Sequence, residues 1–523
     1  MDEHRFNLLD EPWIHCIDTE GRQVTIGIKA LFERADSLLA ITDQNPLVEL
    51  SITRILLAVI HSAVSGPKDV PEWMGIYTPG RFDNRITDYL ERSHHRFDLF
   101  SPDYPFYQTP GLFFCEKNDP SKPAPGMPVS GIILGRASGN NLTLFDHTTD
   151  DMELAVSPAE AARALVTAQM FSFGGLCRKT TSHFGYLGSY KQAALTKGIH
   201  ITLSGRNLFE TLMLNLLVYD RDDPIPCECD AITHERLDRP VWEESDPTLE
   251  TGVERPPKGY LEYLTCKCRH VLLVPERERD TVVVKRLYMA QGKAFHQVIN
   301  PMSVQKANGK GLPSSPRDLE VERMVWRDSQ SLFAVEPGKA DLRPLVVQNA
   351  RHIISRTQGN DHRAIPRERK FMCAAYGIAN SKANPLAWRK EEMNVPVAVL
   401  SGDLSPYLFK GAAKVDIGEK AIKSGIGSFL KAYGNKKRRN LMPGLAGEAL
   451  RYYWDEMEGH FHEFIMNLTD DGAETALVQW TDSIVSTARE ALTKALKDRY
   501  HNSYRAWVVA IDKLNLELKR LDS

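Results

Sequence analysis

The sequence predicts an α+β fold: a large mixed α/β N-terminal domain with irregular loops over residues 1–385, then a C-terminal four-helix bundle over 386–523. Three observations predict it. Short, apolar, strand-like runs recur through the first part of the chain, whereas the last 135 residues carry long apolar stripes of period 3.6. Between them, residues 66–155 are rich in Pro, Gly and aromatic residues, the texture of irregular backbone.

Trp13–Ile17 and Gln23–Ile26 flank Glu20-Gly21 and read as a hairpin. Pro46–Ser65 sets Leu47, Leu50, Ile52, Ile55, Leu56, Val59 and Ile60 at helical spacing, which predicts a buried helix. Residues 66–155 are expected as a long loop region, and such regions are usually functional or disordered. Ser157 is placed to cap a helix over Pro158–Phe171, with Glu160 beside the positive end of its dipole. An apolar helix is expected over Leu208–Val218 and an exposed, acidic, Pro-containing loop over 220–258. Val271–Val274 and Thr281–Val284 read as strands about a charged turn, Glu276–Asp280. The bundle is expected from Leu400–Tyr433 and three further stripes. These are Leu445, Leu450, Trp454, Met457, Phe461, Phe464 and Leu468; then Leu477, Ile484, Ala488, Leu492 and Leu496; then Trp507, Ile511, Leu514 and Leu518.

The 523 residues are 42% hydrophobic and 25% charged, ordinary globular composition that excludes disordered and fibrous classes. No run of uncharged apolar residues is long enough to span a bilayer, and no apolar segment follows Met1-Asp2-Glu3-His4-Arg5. A soluble, cytoplasmic protein with reduced thiols is the expectation, with no membrane partner. The net charge of −3 conceals strong segregation. Asp220–Arg255 holds twelve acids against four arginines, while Ser405–Asn440 holds nine basic residues against two acids. Cys177–Gly198 carries Arg178, Lys179, Lys191 and Lys197 with no acid, and Arg351–Lys370 has six basic residues against two acids. Such stretches suit either a polyanion bound at a defined place or solvated faces.

No P-loop, HExxH or G-x-S-x-G occurs, so the common NTPase, zincin and hydrolase readings have no anchor. His94, His95 and Asp98 offer a weak metal-dependent nuclease reading, against an exposed polar turn. Cys227, Cys229, Cys266 and Cys268 supply four thiols, the number a structural zinc needs, but C-x-C spacing strains the chelate, and buried or loop thiols are the alternative. Phe184–Lys191 is the most informative segment. Glycines three apart permit close backbone approach to a ligand, flanking aromatics can stack, and Lys191 can meet a phosphate; a tight structural turn would show the same pattern.

Phe6-Asn7-Leu8-Leu9-Asp10-Glu11-Pro12-Trp13-Ile14 resembles the N-terminal signature of the Cascade large subunit, the CasA family of type I-E CRISPR systems. Phe97–Phe100 and Pro105–Gly111 are similar to a second family block, and the resemblance runs from the first strand to the terminal bundle. It implies a non-catalytic subunit without cofactors, in a crRNA-containing complex with backbone, small and crRNA-capping subunits. It further implies recognition of the protospacer-adjacent motif in double-stranded DNA, duplex opening to an R-loop, and recruitment of a nuclease-helicase.

Residue by residue, the family's loop contacting crRNA and complex resembles Asn141–His147, with Asn141, Leu144, Asp146 and His147 around an aromatic Phe145. The glycine loop beside the motif duplex corresponds to Gly185–Lys191, which gives Gly185 and Gly188 the close approach and Lys191 a phosphate. A minor-groove lysine falls on Lys293. The hairpin that reads the motif and wedges the duplex resembles Tyr376–Lys382. The wedge falls on Asn380, flanked by Ser381, or on Lys382 in a register two residues later. Relatives with a zinc site build it from C-x-x-C pairs that this chain lacks.

Overall fold

The computed structural model describes residues 4–117, 119–135, 154–218, 237–244, 254–295, 300–308, 314–334, 341–357, 365–381, 384–433, 442–497 and 503–521. The chain forms two compact units. One comprises Met1–Glu322, Pro344–Asn349 and Ala374–Glu391; the other comprises Arg323–Arg343, Ala350–Cys373 and Glu392–Ser523, so it draws in two segments upstream of residue 386.

The first unit is organised around the helix Pro46–Val64. Asn45 accepts from the Leu47 amide to cap it, Pro46 opens it where no intrahelical donor is needed, and Ser65 ends it in the left-handed region. Every residue from Leu47 to His61 is buried. Length and hydropathy would let this helix cross a membrane, but 83% of its apolar window is already buried against the protein itself. The N-terminal sheet has the order Gln23–Ile26, Ile14–Asp18, Leu38–Ile41, and the hairpin turn uses Gly21 at φ +81°. The helix Pro158–Phe171 forms as expected, with Ser157 Oγ accepting from the Glu160 amide.

Four expectations are corrected. The region 66–155 is not all loop: Val70–Tyr77 and Asn84–Ser93 are helices capped by Asp69 and Asp83, and Pro71 sits in a helical first turn rather than breaking one. The helix Leu208–Asn215 stops three residues early because the Asn215 amide pairs with both backbone groups of Leu203. Within 220–258, the described residues include a buried Trp242 and a buried Asp238 that accepts from the Leu261 and Glu262 amides. Finally, the strands Arg269–Glu278 and Thr281–Gln291 absorb most of the expected charged turn. Only Arg279-Asp280 connects them, with Arg279 at φ +55°, and Lys285 pairs across the ladder with Glu276 and Glu278.

The second unit contains the helices Ser405–Ala432, Met442–Asn467, Ala473–Leu496 and Tyr504–Leu518, a four-helix bundle. The first of them buries Gly411, Gly418 and Gly425, spaced seven apart on one stripe. A Cβ on Gly418 would lie 2.2 Å from the Tyr453 hydroxyl, and one on Gly411 would lie 2.6 Å from the Phe464 ring. Missing side chains on this helix therefore make room for aromatic rings of its neighbour. Accordingly Ala449, Tyr453, Ala506 and Ala510 are buried, whereas the expected Leu450, Trp454, Trp507 and Ile511 are half-buried. Trp454 is covered instead by the Arg327 guanidinium, 3.3 Å above its ring, and Arg327 also pairs with Glu419 at 3.1 Å.

Gly418→Ala is expected to destabilise the chain by about 1–3 kcal/mol, because overpacking against Tyr453 outweighs the gain in helix propensity. Gly427→Ala, on the same helix with no atom within 4 Å of its Cβ position, should instead stabilise by up to about 1 kcal/mol. Denaturant unfolding of the two variants checks both signs.

Candidate nucleic-acid interface

The N-terminal signature is a structural device. Asn7 bridges to Asp98, its side chain donates to the His94 carbonyl at 3.0 Å, and Asp98 accepts from the Phe6 and Phe100 amides. His94 Nε2 lies 2.7 Å from Asp10, and His95 packs edge-on to Tyr104. His94 and Asp98 thus tie residues 6–10 to the block at 97–111, whereas His95 packs on Tyr104 within that block, and the three do not converge as metal ligands. The second block continues this role. Gln108 donates to Leu99 O at 2.7 Å and accepts from the Leu273 amide at 2.7 Å, while its carbonyl receives the ammonium of buried Lys267 at 2.7 Å.

The glycine segment is not a loop but the second strand of a hairpin, Gly175–Thr181 with Gly185–Tyr190. Gly185 and Gly188 stand at φ +66° and +76°, so both positions require the left-handed backbone that glycine adopts freely. The turn is anchored to the family block: Ser182 Oγ donates to Gly111 O, Phe184 stacks on His270 at 4.4 Å, and His270 Nδ1 lies 2.8 Å from Thr109 Oγ1. The open end is held by Arg269. This side chain is 1% exposed, and its guanidinium donates to Phe173 O at 2.8 Å, just before the hairpin, and to Lys191 O at 2.7 Å, just after it. It also reaches Cys268 O and Gln291 Oε1 and lies over the Tyr190 ring. Beside the hairpin, Lys191, Lys197 and Lys293 line one cleft of about 530 Å³. The Lys191 ammonium pairs with Glu254 at 2.8 Å, both side chains half in solvent.

The other expected contact element is also a hairpin, Lys370–Ser381 with Asn384–Pro396, in a sheet with Ile199–Ser204. Asn380 is exposed near its turn; Ser381 is in the strand, and Lys382 lies outside the described residues. Lower on the hairpin, Lys390 pairs with Glu49 at 3.0 Å and the Tyr376 hydroxyl donates to the same carboxylate at 3.3 Å, which ties the strands to the core helix. Burial raises the Glu49 pKa despite Lys390. Asn141, Leu144, Phe145, Asp146 and His147 lie outside the described residues, as do Cys227 and Cys229. Cys266 and Cys268 are buried against Ala193 and Phe295. Burial pushes the Cys268 thiol to about 11 and Cys266 well above its ordinary value, which favours protonated thiols. Among the described residues, no three His, Cys, Asp or Glu side chains gather as metal ligands.

Sequence reasoning missed the burial of Lys267, Arg269 and His270, because polar groups beside C-x-C read as surface groups, and it gave Gln108, in the block at 105–111, no role of its own. Lys293 needs a correction of another kind. Its side chain is 11% exposed, and its ammonium is held by Glu244 and by Glu262 at 2.9 Å, so it braces the cleft wall rather than offering a free charge. Burial alone would lower its pKa, but the two carboxylates outweigh it and raise it. Burial would raise Glu262, yet the Arg255 hydrogen bond, the Lys293 charge and the Lys258 amide overcome it and hold the carboxyl at about 2. A depressed carboxyl stabilises the fold above its unfolded pKa near 4.5 and loses that contribution as pH falls toward 2. The shift corresponds to roughly 3 kcal/mol at neutral pH. Glu262→Gln should therefore be markedly less stable than the native chain at neutral pH, with the gap narrowing below about pH 4.5 in urea unfolding.

Residues 7–491 match the family described as CRISPR-associated protein Cse1. The chain is 30% identical over 507 residues to the CRISPR-associated protein CasA/Cse1 of Thermus thermophilus, covering 93% of this chain and 91% of that protein. The crystal structure of Cse1 from Acidimicrobium ferrooxidans superposes with a TM-score of 0.80 at 21% identity, over 99% of this chain and 98% of that one. A chain of a CRISPR RNA-guided surveillance complex shares the fold at a TM-score of 0.70 and 17% identity, over 99% of this chain and 100% of that one. The chain belongs to the CasA/Cse1 family of CRISPR-associated proteins.

Proposed function

We propose that this chain is the non-catalytic large subunit of a crRNA-guided surveillance complex. It contacts a short motif in double-stranded DNA beside the target, starts strand separation, and provides the platform to which a nuclease-helicase is recruited. The observation that carries the reading is the glycine hairpin, free of carboxylates and fixed at both ends, beside a cleft with Lys191 and Lys197. Family membership and the likeness to a chain of a surveillance complex support it. Bare backbone at Gly188 can approach a groove closely, and Lys191 can leave an exposed ion pair, worth at most about 1 kcal/mol, for a phosphate. Minor-groove patterns are degenerate, so this contact licenses a site while guide pairing supplies the sequence. In this reading Phe145 and its neighbours dock the subunit on the crRNA-bearing complex, and the basic bundle tract 405–440 holds phosphates without reading sequence. The alternative, a nuclease using His94, His95 and Asp98, is disfavoured because His94 and Asp98 tie down the N-terminal signature while His95 packs on Tyr104.

The decisive experiment assembles the chain with guide RNA and partner subunits and measures motif-bearing duplex binding with and without chelator; chelator-sensitive cleavage by the isolated chain would overturn the reading. Within it, Lys191→Ala should weaken binding uniformly across flanking sequences and reduce the slope of log affinity against log salt by about 1. Asn380→Ala should slow opening of a linear duplex by up to about tenfold, since one stacked step averages about 1.4 kcal/mol, and a pre-melted bubble should restore the rate. Equal impairment on both targets would restrict the hairpin to binding.

A further inference from the structure

The N-terminal sheet ends on one side in the edge strand Gln23–Ile26, and among the described residues that strand pairs only with Ile14–Asp18. The Asp18 amide donates to the Arg22 carbonyl, so alternation directs the backbone groups of Val24 and Ile26 inward and those of Gln23 and Thr25 outward. Two donors and two acceptors face out, the set that one added strand takes up. The edge borders a cleft of about 1050 Å³, whose other walls include Asp43–Asn45, Ile132–Gly135, the helix Pro158–Phe171 and Trp388. The cleft is acidic: Asp43 and Glu160 line it against the one guanidinium of Arg163. Arg163 is already engaged, donating to Trp13 O at 2.7 Å and pairing with Asp43 at 3.3 Å, both side chains 15% exposed. Burial and the Arg163 charge lower the His15 pKa, which keeps that ring neutral near pH 7. Glu160 is half-buried, and among the described residues no ion pair or hydrogen bond holds its carboxylate.

We propose that this cleft receives an extended segment of a partner subunit of the guide-RNA complex, which adds as a strand along Gln23–Ile26 and brings a lysine or arginine to Glu160. This rests on the function proposed above and names a protein contact for it. Two features select a basic peptide. An open sheet edge alternates donors with acceptors, a pattern that another peptide backbone matches and a phosphodiester chain, lacking N–H groups, does not. The excess carboxylate repels phosphate and attracts a cation, and a subunit that holds guide RNA carries cations for that purpose. Trp388 in the same lining adds apolar surface for the stem of a long basic side chain. Gly135, at the end of one wall, stands six positions before Asn141, where the docking segment of the functional reading begins.

The test uses the full chain and the guide-RNA assembly of the partner subunits purified without it. Glu160→Gln keeps the helix cap, whose donor is the backbone amide, and should weaken joining about fivefold or more, with a shallower dependence on salt. Gln23→Pro removes one outward donor at the start of the edge strand and should weaken joining about tenfold. A photo-crosslinking amino acid in place of exposed Gln23 decides the question even where the proline variant fails to fold: mass spectrometry should find it joined to one segment of a protein subunit with a lysine or arginine close by in sequence. Glu160→Gln joining with native affinity overturns the proposal while the functional reading stands. Crosslinks confined to the guide RNA, or absent from an assembly that still takes up the chain, do the same. If the native chain does not join the assembly at all, the functional reading fails and takes the cleft proposal with it.

Discussion

The guanidinium of Arg269 is the constraint on which the candidate interface depends. An arginine at 1% exposure must have its donors satisfied inside the protein, or its desolvation costs several kcal/mol. Here they are satisfied by carbonyls, and two of those carbonyls belong to the residues on either side of the glycine hairpin. The hairpin cannot splay at its open end without leaving a buried charge short of acceptors. The Arg269 amide and carbonyl are in turn held by the two ends of the Gln169 amide on the helix Pro158–Phe171. Rigidity of the exposed strands is thus imported from a core helix through one buried cation. The same logic extends to the turn, where Thr109, His270 and Phe184 connect the block at 105–111 to the hairpin.

This gives the two signature blocks a physical meaning. Asn7, Asp98, Gln108 and Thr109 touch backbone groups and one another's supports, and none of them is presented as a ligand-binding group. They recognise the fold rather than the substrate. Buried amides and carboxylates of this kind have narrow geometric tolerance, because a misplaced partner leaves an unsatisfied group worth about 1–3 kcal/mol. Motifs so constrained mark the scaffold that aims the hairpins.

Much of the fold was legible because apolar periodicity reports burial directly. Pro46–Val64 and the four bundle helices are where the 3.6-residue stripes put them. The helices Val70–Tyr77 and Asn84–Ser93 were not, since each has only three buried residues and the first contains a proline. The bundle core was misplaced by one position at Trp454 and Leu450 for a specific reason. The apolar stripe ran through Leu450 and Trp454, but the glycines Gly411, Gly418 and Gly425 admit Tyr453 and neighbouring alanines, and Arg327 covers Trp454 from outside. At the interface, the positive φ at Gly185 and Gly188 is foreshadowed by glycine itself, whereas nothing local in Cys-Lys-Cys-Arg-His announces that Lys267, Arg269 and His270 are all buried.

Lys191 and Lys293 show why residue type is a poor guide to which cation meets a polyanion. Both line one cleft and both are paired with glutamate, yet the two pairs differ in what surrounds them. Lys191 and Glu254 each keep about half of their side chain in water, so separating them exchanges one weak, screened contact for another and a phosphate competes on equal terms. Lys293 and Glu262 are 11% and 4% exposed, and pulling the lysine away would strip a buried carboxylate of one of its two cations and leave its charge to Arg255. In the proposed function an exposed pair would also restrain non-specific attraction, since Glu254 would offset the charge of Lys191 until a duplex supplied enough further contact to displace it. Availability is therefore set by burial of the counter-ion, a property of the fold around Glu254 and Glu262 rather than of the lysines themselves.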